Sequence, residues 1–309
     1  MKKIKYILTA ILGISLIACN KDDDNNSDYN NSNATTEIGQ LLQSGTDIVA
    51  MVKKDSAYTI VDGVETTEIH YINSEGYSTK AFITTVDLTS PNISIETSTP
   101  NNLPAYGRQK MTEQALYEDQ EGHKVWAGFN GDFFNESNGI PRGIVYKDGV
   151  VIKGSFTDNV NTWFAIKNDG KAAIGNQEEY PDENANFKEA VSGRVTLLSD
   201  GLILPQTDES LEPRTGVGVS QDGLKVYFLV VDGRNFSYSN GINYNGMAQI
   251  FSALGAYDAI NLDGGGSTTF FSRITPDFSE NRFELRNWPS DNGGQERTVA
   301  NGLVIIANN

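Results

Sequence analysis

The sequence predicts an α+β fold: a mixed, mainly antiparallel β-sheet core with a few flanking helices, in a single domain. Short β-branched and aromatic runs, punctuated by Asp-Gly and Asn-Gly pairs, recur through most of the chain and read as hairpins. Only three stretches carry helical spacing. The 309 residues, 38% hydrophobic and 10% aromatic, are enough for a real core.

The elements follow in order. Residues 1–18 place Lys2, Lys3 and Lys5 before an apolar run of about a dozen residues, a signal-peptide pattern too short for an ordinary membrane span. Cys19, the only cysteine, closes a Leu-Ile-Ala-Cys string that looks like a bacterial lipoprotein cleavage box, and no disulfide can form within one chain. Residues 19–45 read as the acylated cysteine followed by an acidic tether with little to bury, and residues 46–309 as the folded domain. Lys21 and the three aspartates after it resemble a surface-sorting signal. The expected location is therefore lipid-anchored in the bacterial outer membrane or at the cell surface, held to the membrane through the lipid alone.

A weak helical pattern covers 37–51. Strands are expected through 58–95, with 81–88 the clearest. Residues 108–121 form the first convincing helix, with Met111, Ala115 and Leu116 inward and Gly122 as its stop. A strand at 125–129 runs into Asn130 and Asp132. Hairpins then turn at Asp148-Gly149, Asp200-Gly201 and Asp222-Gly223, the last leading into the buried-looking run 225–231. Arg214 enters one end of that hairpin and Asp232 leaves it, so a guanidinium and a carboxylate meet there, either as part of a site or as an ion pair closing a loop. Residues 236–245 form a polar loop with aromatic planes, after which Asn245 caps a helix at 247–254. Two strand-like runs, 259–262 and 268–271, flank Gly264, Gly265 and Gly266. Three residues without Cβ permit positive φ and let backbone N–H groups approach an anion. Asp263 stands before them, Ser267 and Thr268 after, and the last strand spans 299–306.

The formal net charge of −16 leaves no basic stripe for phosphate neutralisation, which argues against nucleic acid as a partner. There are also no Rossmann, P-loop, zinc or nucleophile-elbow spacings. His70 and His123 are isolated imidazoles and read as structural.

The string LDGGGS at 262–267 resembles the signature of the phosphodiester glycosidase family. NGDFF at 130–134, PRTGVGV at 213–219, VVDGR at 230–234 and ERTVANGLVI at 296–305 stand in the same order as the rest of that pattern, most strongly over 125–309. The resemblance implies hydrolysis of a sugar joined through its anomeric carbon to a phosphodiester, on envelope or external glycoconjugates, with a phosphorylated carbohydrate as partner. Phosphate leaves readily once its charge is met, and arginine forks meet it bidentately. Arg142, Arg214, Arg234 and Arg297 are the candidates, together with Asn130, Thr215, the three glycines, Ser267 and Thr268. Oxocarbenium character at the sugar calls for a carboxylate, and Asp263, Asp232 and Asp132 are the candidates in that order.

No cofactor is required by the sequence. Two other readings stay open: a surface glycan-binding lipoprotein, favoured if Asp263 bonds only within its turn, and a phosphodiesterase holding a divalent cation between Asp232 and Asp263. On the anchor, Cys19→Ser is expected to abolish acyl labelling and to release the protein from the membrane fraction. Labelling that persists in the variant would rule Cys19 out.

Overall fold

The structure, a computed structural model, describes residues 33–307, so the expected signal sequence 1–18, Cys19 and the first part of the expected tether lie outside the described residues. Three sheets hold the strands. The largest runs in the order Val49–Val61, Val64–Asn73, Ser78–Asp87, Lys225–Val231, Arg214–Val219, Asp258–Asn261, Thr196–Ser199, Leu202–Ile203. A second joins Val150–Lys153, Val145–Lys147, Phe187–Gly193, Thr162–Lys167 and Ala172–Asn176. The third joins Phe283–Leu285, Phe270–Arg273, Lys124–Asn130, Gly302–Ala307 and Ile93–Ser98. Each named strand pairing is antiparallel, so the parallel component that a mixed sheet would contain is not found among the described residues.

The run 225–231 shows why these layers form. Its side chains alternate between two cores because successive Cβ atoms point to opposite faces of a sheet. Val226, Phe228 and Val230 enter the core shared with the third sheet, beside Phe129, Phe270 and Leu303. Tyr227, Leu229 and Val231 enter a separate core with the helix Tyr244–Ala253, through Met247, Ile250 and Phe251. On the far side of the third sheet, Met111 and Ala115 of the helix Met111–Glu118 cover Val125, Phe271 and Val304. The order is therefore helix, sheet, sheet, helix.

Between the sheets stand three parallel rings. Phe129 lies 4.2 Å from Phe228 and 5.0 Å from Phe270, with interplanar angles of 10° and 5°. Phe228 belongs to the large sheet and the other two to the third, so the stack ties one sheet to the other. It lies immediately beneath the chain segments that carry the candidate residues, since Phe129 precedes Asn130 and Phe270 follows Thr269.

Several boundaries move from expectation. The helix in 37–51 covers only Glu37–Gly45, after which Val49 opens a long strand. Thr36 caps it by accepting from the Gly39 N–H at 3.0 Å, and Leu42 is buried. The folded unit therefore begins before residue 46, and part of the expected tether belongs to it. In the helix Met111–Glu118, Leu116 faces solvent while Gln114 and Glu118 are buried. The last of the three expected helices starts at Tyr244 and its cap is Asn243, not Asn245.

Phe129→Ala removes the middle ring of the stack and is expected to cost about 3–5 kcal/mol, the range for a large aromatic deleted from a core. Urea unfolding measures it. A loss below about 1 kcal/mol, the level of a volume-conserving swap, would show that the stack does not hold the sheets together.

Candidate functional site

The segment 262–269 is a crossover between sheets, not a hairpin. Asp258–Asn261 pairs within the large sheet and Phe270–Arg273 within the third, so the Asp263 turn leads from one layer to the other. A side-chain amide fixes it there. Asn130 Nδ2 donates to the Asp263 carbonyl at 2.6 Å, while Asn130 Oδ1 accepts from Thr215 Oγ1 at 2.7 Å and from the Thr269 N–H at 2.9 Å. The Asp263 N–H in turn donates to the Gly131 carbonyl at 2.9 Å. Asn130, Thr215 and Thr269 are all buried, so the bonds among these three are made where water cannot replace them.

The glycines serve mainly to let chains approach. Gly265 alone of the three is left-handed, with φ of 59°, and a Cβ there would lie 3.1 Å from the Arg234 guanidinium. A Cβ on Gly266 would stand 2.1 Å from the Asp291 carboxylate. The N–H groups of Gly264, Gly265, Ser267 and Thr268 donate to Asp263 Oδ1, Pro213 O, Gly264 O and Gly265 O. Those four donors are consumed by the fold, three of them inside the crossover, where the sequence suggested an anion-holding concavity.

Two carboxylates share the site. The Asp263 side chain is 14% exposed. Burial raises its pKa to about 6, against the Ser267 hydroxyl, the Arg297 charge, the Gly264 N–H and Arg194, which favour the anion. Asp132 is buried more deeply. Burial pushes its carboxyl well above the usual range despite a 2.8 Å hydrogen bond from the Gly143 N–H to Oδ2, and the charge of Asp263 adds to the effect. Asp132 Oδ1 has no hydrogen-bond partner in the fold, and neither does the buried Nδ2 of Asn301, whose Oδ1 accepts from the Asp132 N–H at 2.8 Å. Two neighbouring carboxyls in a desolvated setting titrate as a coupled pair.

The candidate arginines part company. Arg297 belongs to the site: its Nε and Nη2 donate to Ser267 Oγ at 3.1 and 2.8 Å, and Nη2 lies 4.0 Å from Asp263 Oδ2. Arg214 neighbours Thr215 in a strand, so the two side chains point to opposite faces. Its guanidinium stacks 3.9 Å over Tyr244 and reaches Ser210 and the Ile242 carbonyl, so it forms no ion pair with Asp232. Arg234 is held by Glu212 and Asp291 beside Gly265, and Arg142 by Asp158 at 2.8 Å.

Asp232 stands apart from Asp263. Its Oδ1 accepts from Asn287 Nδ2 and the Trp288 N–H, and its Oδ2 from Tyr238. With both oxygens so engaged, the pairing that a cation between Asp232 and Asp263 would need is not formed. Glu96, Glu118 and His123 do gather their ligand atoms among the described residues, but Lys147 Nζ already lies 2.7 Å from Glu118. These residues do not fit a resident metal at the Asp263 crossover. Thr268 contributes a buried hydroxyl with no hydrogen-bond partner.

Three participants were missed in the sequence: Asn301, Asn287 and Arg194. Asn301 sits inside the ERTVANGLVI string, where the Asn-Gly pair opening a strand was its signal. Asn287 accepts from the Phe270 N–H and donates to the Thr268 carbonyl, bracing the crossover from an irregular segment with no pattern to read. Arg194 follows the strand Phe187–Gly193 and lies 4.2 Å over the Phe133 ring, its Nε buried without a hydrogen bond.

Asn130→Ala strips partners from three groups at once, two of them buried. It is expected to lower stability by about 3 kcal/mol, more than Thr215→Val, which removes one of them. Equal, small losses in thermal unfolding would show that the amide does not fix the crossover.

Residues 123–306 match the sequence profile of the phosphodiester glycosidase family. The mouse and human N-acetylglucosamine-1-phosphodiester alpha-N-acetylglucosaminidases are each 31% identical over 182 residues, covering 52% of this chain and 33% of theirs. The chain thus spans about a third of the length of these relatives. Among solved structures, the pro-peptide-inhibited catalytic domain of the zebrafish enzyme of that name superposes with a TM-score of 0.60 at 22% identity, covering 82% of this chain and 87% of that one. A hypothetical protein from Synechocystis gives 0.57 at 14%, covering 82% and 64%, and both show the same fold. With its profile match spanning more than half of the sequence and running through the Asn130, Asp263 and Arg297 motifs, the chain belongs to the phosphodiester glycosidase family.

Proposed function

We propose that this chain hydrolyses a glycosyl phosphodiester, cleaving the bond between the anomeric carbon of a sugar and phosphate, with Asp263 and Asp132 as its carboxylates. N-acetylglucosamine, which the relatives' names carry, is the first sugar to test. The observation that carries the reading is the Asp263 and Asp132 pair, desolvated together at the crossover beside Arg297.

The environments set the two carboxyls apart, which is how one site acquires an acid and a base. At neutral pH Asp263 is mostly ionised and suited to oppose positive charge at the anomeric carbon. Burial and the neighbouring Asp263 charge favour the protonated form of Asp132, which suits it to the part of the acid. When the anomeric C–O bond breaks, the electron pair leaves with the phosphate oxygen. Arg297 and Arg194 meet the charge of that phosphate monoester, water bonds to the anomeric carbon, and its proton passes to a carboxylate. Anchored outside the cell, such a domain would act on envelope or external glycoconjugates.

A glycan-binding protein without turnover has one observation in its favour: the Asp263 carboxylate accepts from the Gly264 N–H of its own turn. Asp132 separates the readings, since a binding module gains nothing from a second, buried carboxyl beside the first.

Asp263→Asn keeps shape but removes charge, so kcat and kcat/KM on the methyl diester of N-acetylglucosamine-1-phosphate are expected to fall together, by about 10²–10⁴-fold. Full activity in a folded variant would remove Asp263 from catalysis. The wild-type rate should rise as pH passes about 6, where Asp263 ionises. A profile flat across that rise would contradict the pair. Stability should run the other way. Raised carboxyls bind protons more tightly in the folded state, so stability falls as pH climbs from about 4, the unfolded carboxyl range, towards about 6.

A further inference from the structure

The helix-covered face of the third sheet carries a polar cluster that the crossover does not use. Glu96 lies on the edge strand Ile93–Ser98, opposite Val304. Cross-strand partners share a face, so its side chain stands with Val304 on the side that the helix Met111–Glu118 covers. Glu118 is the last residue of that helix. Beyond it the chain turns at Gly122, whose φ is 77°, and two hydrogen bonds between the backbones of Gln120 and His123 close the turn. His123 is thereby brought back to the sheet, where its Nε2 lies 3.0 Å from Glu96 Oε2. The next residue opens the strand Lys124–Asn130, whose far end is the site amide.

One ligand atom from each of Glu96, Glu118 and His123 lies within 4.8 Å of the others. Around a tetrahedral ion with bonds of about 2.0–2.2 Å, ligand atoms stand about 3.4 Å apart, so small side-chain adjustments reach that spacing. Both carboxylates are already oriented. Glu96 Oε1 accepts from Ser94 Oγ at 3.0 Å, and Glu118 Oε1 accepts from Lys147 Nζ at 2.7 Å, an ammonium that the Thr97 carbonyl fixes at 2.6 Å. Outer partners of this kind aim metal-binding side chains. The Lys147 ion pair does not exhaust the cluster, because Glu118 Oε2 is buried without a hydrogen-bond partner in a side chain only 1% exposed. Buried acceptors are seldom left so. His123, with its side chain 30% exposed, provides the way in from solvent and room for a water ligand.

The donor set selects the ion. Ca²⁺ asks for a large shell of oxygens and Mg²⁺ for a near-octahedral one, whereas one imidazole, two carboxylates and an open fourth position suit Zn²⁺. We propose that Glu96, Glu118 and His123 form a Zn²⁺ site, separate from the Asp263 crossover, that fastens the end of the helix to the edge strand. The ion would hold the root of the strand that delivers Asn130.

Calorimetric titration of ZnCl₂ into the full chain carrying Cys19→Ser, which removes the only thiol, tests the site. No substrate is involved, so the outcome is independent of the hydrolytic reading. One Zn²⁺ per chain is expected, with a rise in the thermal midpoint because the ion binds the folded state. His123→Ala and Glu118→Gln should each weaken binding by at least about tenfold, since even the loss of an outer partner costs about 10–100-fold. His123 is part-exposed, so its variant decides even if Glu118→Gln fails to fold. His70→Ala, which removes the chain's other imidazole, should bind as the parent does. No binding by the parent, unaltered binding by His123→Ala, or loss of binding with His70 would overturn the site. Ca²⁺ binding as tightly as Zn²⁺ would overturn it too, because the imidazole would then have no part.

Discussion

The amide of Asn130 is the constraint on which the site depends. Its Nδ2 and Oδ1 are directed at both ends of the crossover and at the strand carrying Thr215, and the amide itself is fully buried. An Asp here would present oxygen to the Asp263 carbonyl and a hydrophobic residue would leave all three groups unpaired. The crossover can therefore be short, glycine-rich and sharply turned without being loose. The ring stack below and the amide above act on the same chain, one through dispersion and area, the other through direction.

Charge is handled sparingly in a protein of −16. Of the arginines collected in the motifs, Arg214, Arg234 and Arg142 are engaged by aromatic faces, carbonyls or carboxylates of the fold, and Arg297 alone approaches Asp263. Arg194 reaches the same neighbourhood from the second sheet. The site thus draws on all three sheets, a division that fits a desolvated carboxylate pair needing cations nearby but not in contact.

Much of this was legible in the sequence, and what was not has physical reasons. The run 225–231 could be read as a strand buried on both faces because period-two alternation was absent while β-branched residues were dense. The Asp148-Gly149, Asp200-Gly201 and Asp222-Gly223 turns were legible because left-handed backbone leaves a chemical trace, and Asp148, Asp200 and all three glycines do have positive φ. Helix ends shifted because Asn243 and Asn245 both suit a cap, and only the packing of Tyr244 chooses between them. The crossover was mistaken for a local turn because its flanks look the same whether they pair with each other or with distant strands. Strand parity would have separated Arg214 from Thr215, yet both entered the candidate set, because an arginine is long enough to suggest reach that the fold then uses elsewhere.

The hydrogen bonds that define the site join residues far apart in the chain: 85 positions between Asn130 and Thr215, 133 between Asn130 and Asp263, 169 between Asp132 and Asn301. Loop closure on that scale is slow, and such contacts form late in folding. Neither carboxyl meets its desolvated surroundings until the last strand, Gly302–Ala307, has docked between its neighbours. Whatever chemistry Asp263 performs is therefore withheld from the growing or partly folded chain, and the order of synthesis itself works as a safety catch.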